Sequence, residues 1–201
     1  MTSLKTQAFF SHDPQAELLQ RCALADLTEL PRVGFRGGDS SAYLQARGYR
    51  LPPQPNQALR QDDGGWVVRL SASEYLLLGS ISDQGTRVAA EEADWAQDAQ
   101  RNYLLPRQDS HAWLQLSGEH CSAVMAKLCG VDLRGEAFPV GAVAQTSAAR
   151  INVLVVNTGS AELPALQILF DRASLAYFRE AMLDAMDEFA GGLVSMDTLS
   201  A

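Results

Sequence analysis

The sequence predicts an α+β protein of two related split β-α-β, ferredoxin-like halves, and three observations carry that prediction. Strand-like and helix-like hydrophobic periods alternate along the chain, then restart in the same order near its middle. Val33, Phe35, Gly37, Ala42 and Leu44 recur in role 81 residues later as Leu114, Leu116, Gly118, Ala123 and Met125. With 201 residues, 47% of them apolar, the chain is long enough for one substantial core or two small halves packed closely together. The expected organisation is an N-terminal arm over residues 1–25, then one domain of two halves, about 26–105 and 106–201.

Taken in order, Asp13 is a capping candidate for a short helix over 14–24, with Pro14 at its first position. Residues 32–36 alternate apolar and polar as a strand does. Gly37-Gly38-Asp39 turns into a helix over 40–47, with Asp39 or Ser40 as N-cap. Prolines 52, 53 and 55 make residues 51–56 a stiff connector that cannot be helix. Residues 66–70 and 75–79 form a hairpin about Ser71–Glu74. A helix is expected over 86–103, and its acidic residues Glu91, Glu92, Asp94 and Asp98 read as a solvated face.

In the second half, residues 112–116 are a strand, 117–119 a turn and 121–128 a helix. After Phe138-Pro139-Val140-Gly141 come strands over 142–148, 152–157 and 166–170, the last preceded by a loop containing Gly159. Leu175, Phe178, Met182, Met186 and Phe189 fall on one face of a final helix, as core or subunit interface.

The net charge of −8 excludes the clustered cationic surface that nucleic acid or an anionic membrane requires. Only Lys5 and Lys127 are lysines. The first residues lack the apolar core of a signal peptide, and the aliphatic runs are too short to span a bilayer. Three cysteines without a CxxC pair argue against a disulfide framework. These features predict a soluble, cytoplasmic protein.

The search for chemistry is largely negative. His111 and His120 lie nine apart, and Cys121 and Cys129 eight apart, which is not the local spacing of zinc ligands. Gly34-Phe35-Arg36-Gly37-Gly38 lacks dinucleotide-loop spacing and a phosphate-binding lysine. There is no Gly-x-Ser-x-Gly elbow. Asp26, Asp39 and Asp109 sit at element starts, where capping and turn formation are the default roles. No residue is assigned a catalytic, cofactor-binding or metal-binding role.

Three ordered motifs carry a resemblance to a family. Residues 25–37, ADLTELPRVGFRG, resemble the opening of the gamma subunits of heterotetrameric sarcosine oxidases. Residues 70–78, LSASEYLLL, are similar to that family's hairpin. Residues 129–141, CGVDLRGEAFPVG, followed by Ala144-Gln145-Thr146, resemble a third stretch of it. The resemblance implies the folate-binding fold of the aminomethyltransferase (T-protein) of the glycine cleavage system. It also implies a four-subunit enzyme that oxidises sarcosine to glycine, with hydrogen peroxide and methylenetetrahydrofolate as further products. FAD, FMN, NAD, tetrahydrofolate and zinc would belong to the other subunits. This chain would bind no cofactor, hold no catalytic residue and pack mainly against the alpha subunit.

Against T-proteins, which carry an aspartate in the corresponding region, this sequence has Gln145 and Thr146, with no carboxylate between Phe138 and Asn157. An amide or hydroxyl cannot take a proton at neutral pH as a carboxylate does. Alternatives are a stand-alone folate-dependent aminomethyltransferase, or a folate-binding module in which Arg150 pairs with the glutamate tail. By default Arg150 is a surface charge or a structural ion pair. A complex acting on another N-methylated amino acid is also open. The subunit reading expects apolar surface reserved for partners, supplied by the final helix and the tryptophan-containing segments.

Overall fold

The computed structural model describes residues 13–200, so residues 1–12 of the expected arm lie outside the described residues. In the first half, β2 (Arg32–Arg36) leads into α2 (Ser40–Ala46), β3 (Gln57–Arg60), β4 (Trp66–Arg69), β5 (Glu74–Leu78) and α3 (Thr86–Ala93). In the second, β7 (His111–Ser117) leads into α4 (Cys121–Leu128), β8 (Val143–Ala148), β9 (Ile151–Asn157), β10 (Ala165–Asp171) and α5 (Leu175–Met186). Each half follows one strand with a helix, three more strands and a second helix. α1 (Pro14–Arg21) and β1 (Ala23–Asp26) precede the first half, β6 (Tyr103–Pro106) joins the two, and β11 (Gly192–Val194) follows α5.

The sheet orders are β3-β4-β5-β2-β6 and β11-β1-β7-β10-β9-β8. The strand preceding each half therefore completes the sheet of the other half. β6 pairs antiparallel with β2, Leu104 opposite Phe35, while β1 pairs antiparallel with β7, Leu24 opposite Leu116. Among the described residues, all strand pairings are antiparallel except β1 with β11.

The 81-residue recurrence is a repeat of backbone geometry. Gly37 and Gly118 both take positive φ, 148° and 112°. A Cβ on Gly37 would collide with the carbonyl oxygen of Arg101, and one on Gly118 would lie 2.5 Å from that of Arg21. The next residues repeat the pattern: Asp39 N–H donates to Arg101 O (3.1 Å) and His120 N–H to Arg21 O (3.2 Å). Glycine is required here because the exchanged strand enters directly over the turn.

The sheets face each other, with helices outside, as four layers. Val68, Leu76 and Leu78 meet Trp113, Val156 and Leu169 between the sheets. Val33, Phe35 and Val67 pack with Leu44 of α2 and Val88 of α3 on one outer face. Leu114, Leu116 and Ile168 pack with Met125 of α4 and Phe178 and Met182 of α5 on the other. Strand alternation puts odd and even residues of each sheet into different layers, which is why both faces of β5, β7 and β10 are apolar. On one side the sandwich closes: Ala58 N–H donates to Gly141 O (2.7 Å) and Val143 N–H to Asn56 O (3.1 Å).

Several expectations are corrected. The helix expected over 14–24 ends at Arg21, because Leu24 and its neighbours are drawn into a sheet. The helix expected over 86–103 ends at Ala93, because Tyr103–Pro106 must extend to pair with β2. Glu91 is buried rather than solvated, and its carboxylate accepts from Arg47 Nε of the turn after α2. Asp39 is the N-cap residue of α2 but makes no cap bond, since its carboxylate accepts from the N–H and guanidinium of Arg101. Phe178, Met182 and Met186 are internal, and Trp113 is buried between the sheets. The buried stripe of the final helix and Trp113 are therefore core, Trp66 and Trp95 are partly buried against it, and among the described residues the exposed large apolar side chains are Tyr103, Val131, Val140, Tyr177 and Leu193.

Candidate functional site

A cleft of about 1220 Å³ opens where the two sheets diverge, and it contains the stretch that the family comparison singles out. Glu74 and Leu76 of β5 form one wall; Gln145, Thr146 and Ser147 of β8 and Asn152 of β9 form the other. Arg107, from the connection between β6 and β7, and His111, which opens β7, lie between them, with Arg150 and Asp171 among the remaining lining residues.

Gln145 is committed to the seam between the halves. Its side-chain amide donates to Asn56 Oδ1 and to Leu70 O, both at 2.8 Å. Two acceptors face one NH2 group, so a carboxylate at this position would meet lone pairs instead of donors. The cleft's own carboxylates are engaged as well. Glu74 accepts from Arg107 (3.1 Å) and faces Arg36 (3.4 Å), and Asp171 accepts from Ala173 N–H (2.9 Å).

His111 is held neutral. Burial foremost, then the charges of Arg107 and Arg32, push its pKa down to about 4, against a smaller opposing pull from Asp171. Its Nδ1 lies 2.8 Å from Ser110 Oγ. Behind it Arg32 is fully buried, and its guanidinium donates to the carbonyls of Thr28, Leu30, Gln108 and His111. This clamp fastens β2 of one sheet to the segment that starts β7 of the other. Burial foremost, with the neighbouring Arg172, lowers the Arg32 pKa to about 10.

Arg150 is at a hairpin tip, not in a strand or an ion pair. Ala149 and Arg150 form the two-residue turn between Ala148 and Ile151, with φ of 46° and 66°. Such turns favour Asn-Gly, so both residues are in a region unfavourable to side chains. Two bonds hold the turn: Ala149 N–H donates to Leu128 O, and Tyr177 Oη–H to Ala149 O, each at 2.9 Å. The Arg150 side chain is exposed and has no hydrogen bond or ion pair among the described residues.

The other sequence candidates are not brought together. Asp26 accepts from Thr28 N–H, Asp39 binds Arg101, and Asp109 is exposed in the turn before β7. His120 stacks on Phe189 at 4.6 Å, away from His111. Cys22, Cys121 and Cys129 are buried free thiols, and burial pushes the pKa of Cys22 and Cys121 up. Among the described residues no group of three or more His, Cys, Asp or Glu is placed to hold a metal ion. Arg107 and Glu74 escaped the sequence reading because their proximity depends on the exchanged β6; the only signal was Glu74 in the quoted hairpin motif.

The architecture, two exchanged-strand α+β halves packed sheet to sheet, is the fold of the glycine cleavage aminomethyltransferases. The chain superimposes on aminomethyltransferase T of the glycine cleavage system from Bartonella henselae with a TM-score of 0.64 at 14% identity, covering 90% of this chain and 49% of that one. It superimposes on a chain of the heterotetrameric sarcosine oxidase from Corynebacterium sp. U-96 with a TM-score of 0.67 at 24% identity, covering 87% and 89%. In sequence it is 30% identical over 172 residues to the sarcosine oxidase subunit gamma of Corynebacterium sp. (strain P-1), covering 83% of this chain and 81% of that protein. The corresponding subunit of Arthrobacter sp. is 28% identical over 176 residues. No protein-family model matches the chain. The chain belongs to the sarcosine oxidase gamma subunit family.

Proposed function

We propose that this chain is the non-catalytic gamma subunit of a heterotetrameric sarcosine oxidase. The other subunits would convert sarcosine to glycine and make hydrogen peroxide and methylenetetrahydrofolate. The observation that carries this reading is that the Gln145 amide is consumed in joining the two halves, at the place where, by the resemblance, a T-protein would keep its aspartate. No cleft group among the described residues is poised as a base: Glu74 is neutralised by two arginines, Asp171 caps a turn, and His111 is half-buried beside cations. The chain itself would hold no cofactor. FAD, FMN, NAD, tetrahydrofolate and zinc would lie in the other subunits, and this chain would pack mainly against the alpha subunit. No helix among the described residues is long and apolar enough to cross a membrane, which accords with a cytoplasmic complex.

The cleft favours a second reading, a stand-alone folate-binding protein or folate-dependent aminomethyltransferase with Arg150 as anion anchor. Its volume suits a cofactor-sized ligand, and Arg150 is unpaired among the described residues. One experiment separates the two. The chain is expressed alone and together with the other oxidase subunits, then assayed for native mass, folate binding and aminomethyl transfer. Co-purification with flavin-containing chains, and no turnover alone, supports the subunit reading; turnover by the isolated chain overturns it.

A further inference from the structure

The loop between α4 and β8 and the loop between β9 and β10 enclose an apolar pocket of about 430 Å³, walled by Leu133, Pro139, Val140, Pro164 and Leu166. Val140 is 57% exposed at its rim and Val131, nearby in the same loop, 37% exposed. A shallower groove of about 700 Å³ against α1 shares Glu119, Ala161 and Pro164 with the pocket, so the two form one surface. Its rim carries the exposed carboxylates of Glu119 and Glu162. Among the described lining residues the cation is Arg21, whose guanidinium donates to the carbonyl of Ala190 (2.9 Å).

Gly135, on the pocket lining, and Gly130 beside Val131 add a second observation. A Cβ on either would have no heavy atom within 4 Å, and neither takes positive φ. The chain's own packing therefore makes no demand for glycine at these two places, in contrast to Gly37 and Gly118. Gly135 leaves its place on the pocket lining without a side chain.

We propose that this composite surface docks a basic segment of a partner subunit. An aliphatic or aromatic side chain enters the pocket, and flanking Lys or Arg residues lie along Glu119 and Glu162. The proposal rests on the reading of the chain as a subunit. Charge selects the occupant: an acidic rim on a protein of net charge −8 repels a second copy of itself and attracts a cationic partner. The apolar pocket provides the affinity and the rim the orientation.

The test uses the full chain co-expressed with the other oxidase subunits. Gly135→Trp fills the pocket mouth, Glu119→Arg/Glu162→Arg reverses the rim, and Glu180→Arg on the exposed face of α5 is the charge-reversal control. The isolated variants are first shown by circular dichroism and melting to fold as wild type. The expected result is that the two groove variants are retained at least about tenfold more weakly, that the control is retained fully, and that wild-type retention weakens as salt rises. Groove variants retained like wild type overturn the docking face while leaving the subunit reading intact. Failure of wild type itself to co-purify overturns both. A wild-type homodimer abolished by Gly135→Trp overturns the proposal in favour of self-association.

Discussion

The side chain of Gln145 on β8 donates to Oδ1 of Asn56 at 2.8 Å, tying the edge of one sheet to the connector that enters the other. The same NH2 group reaches Leu70 O, so one amide joins three places far apart in sequence. Replacing Gln145 by Glu removes both donors and sets a carboxylate against two acceptors. The expected loss is about 1–2 kcal/mol, seen as a melting temperature lower by about 2–6 °C, with no gain of aminomethyl transfer. A variant as stable as wild type would show that the seam does not depend on this amide.

Gly37→Ala and Gly118→Ala should each destabilise by about 3 kcal/mol or more, because the new Cβ meets backbone and the φ is hostile to side chains. Gly135→Ala should change stability by less than about 0.5 kcal/mol, its Cβ meeting nothing within 4 Å. Urea titration measures all three. Because β1 and β6 are exchanged between the sheets, unfolding should follow one transition; two separated transitions would mean that the halves unfold independently.

Arg32→Met leaves the carbonyls of Thr28, Leu30, Gln108 and His111 without their shared donor. The expected cost is about 3–5 kcal/mol. Arg32→Lys should recover only part of this, since an ammonium cannot span acceptors arranged around a planar fork. Chemical denaturation of the pair decides it, and a lysine variant equal to wild type would show that charge alone suffices.

His111 predicts an acid sensitivity whose sign follows from its lowered pKa. The unfolded chain binds the imidazole proton below about pH 6.5, whereas the folded chain takes it only near pH 4. Stability present above pH 6.5 is therefore lost progressively as pH falls from about 6.5 to 4. The ring is partly exposed, so the loss from this group is about 1–2 kcal/mol. His111→Gln should flatten that part of the melting-temperature profile; an unchanged slope would assign the effect elsewhere.

Cys22, Cys121 and Cys129 are buried, and a thiol reagent attacks the exposed thiolate. At neutral pH the folded chain should label at none of the three within minutes, and at all three in denaturant. Rapid labelling of the native protein would place a thiol at the surface.

What was legible in the sequence were the elements whose pattern is local. β2, the β4–β5 hairpin, β7 and α4 appear within a residue or so of where their periodicity puts them. β1, β3, β6 and β11 were not legible, being short strands whose extended form depends on a partner from elsewhere in the chain. The helical reading of residues 94–103 failed for the same reason: Asp94 to Ala99 suit a helix, but pairing with β2 dictates how β6 must arrive.

For the site, the sequence by itself determined that the stretch around Gln145 and Thr146 is neutral, with no carboxylate between Phe138 and Asn157, and that glycines 81 residues apart mark a repeat. Only the tertiary structure decided what those features do. It assigned the Gln145 amide to the seam, turned Arg150 out at a strained hairpin tip, and buried Arg32 among four carbonyls. The physical reason is that composition and periodicity report which face of an element is apolar. They do not report which distant donors and acceptors meet once two sheets exchange a strand and pack face to face.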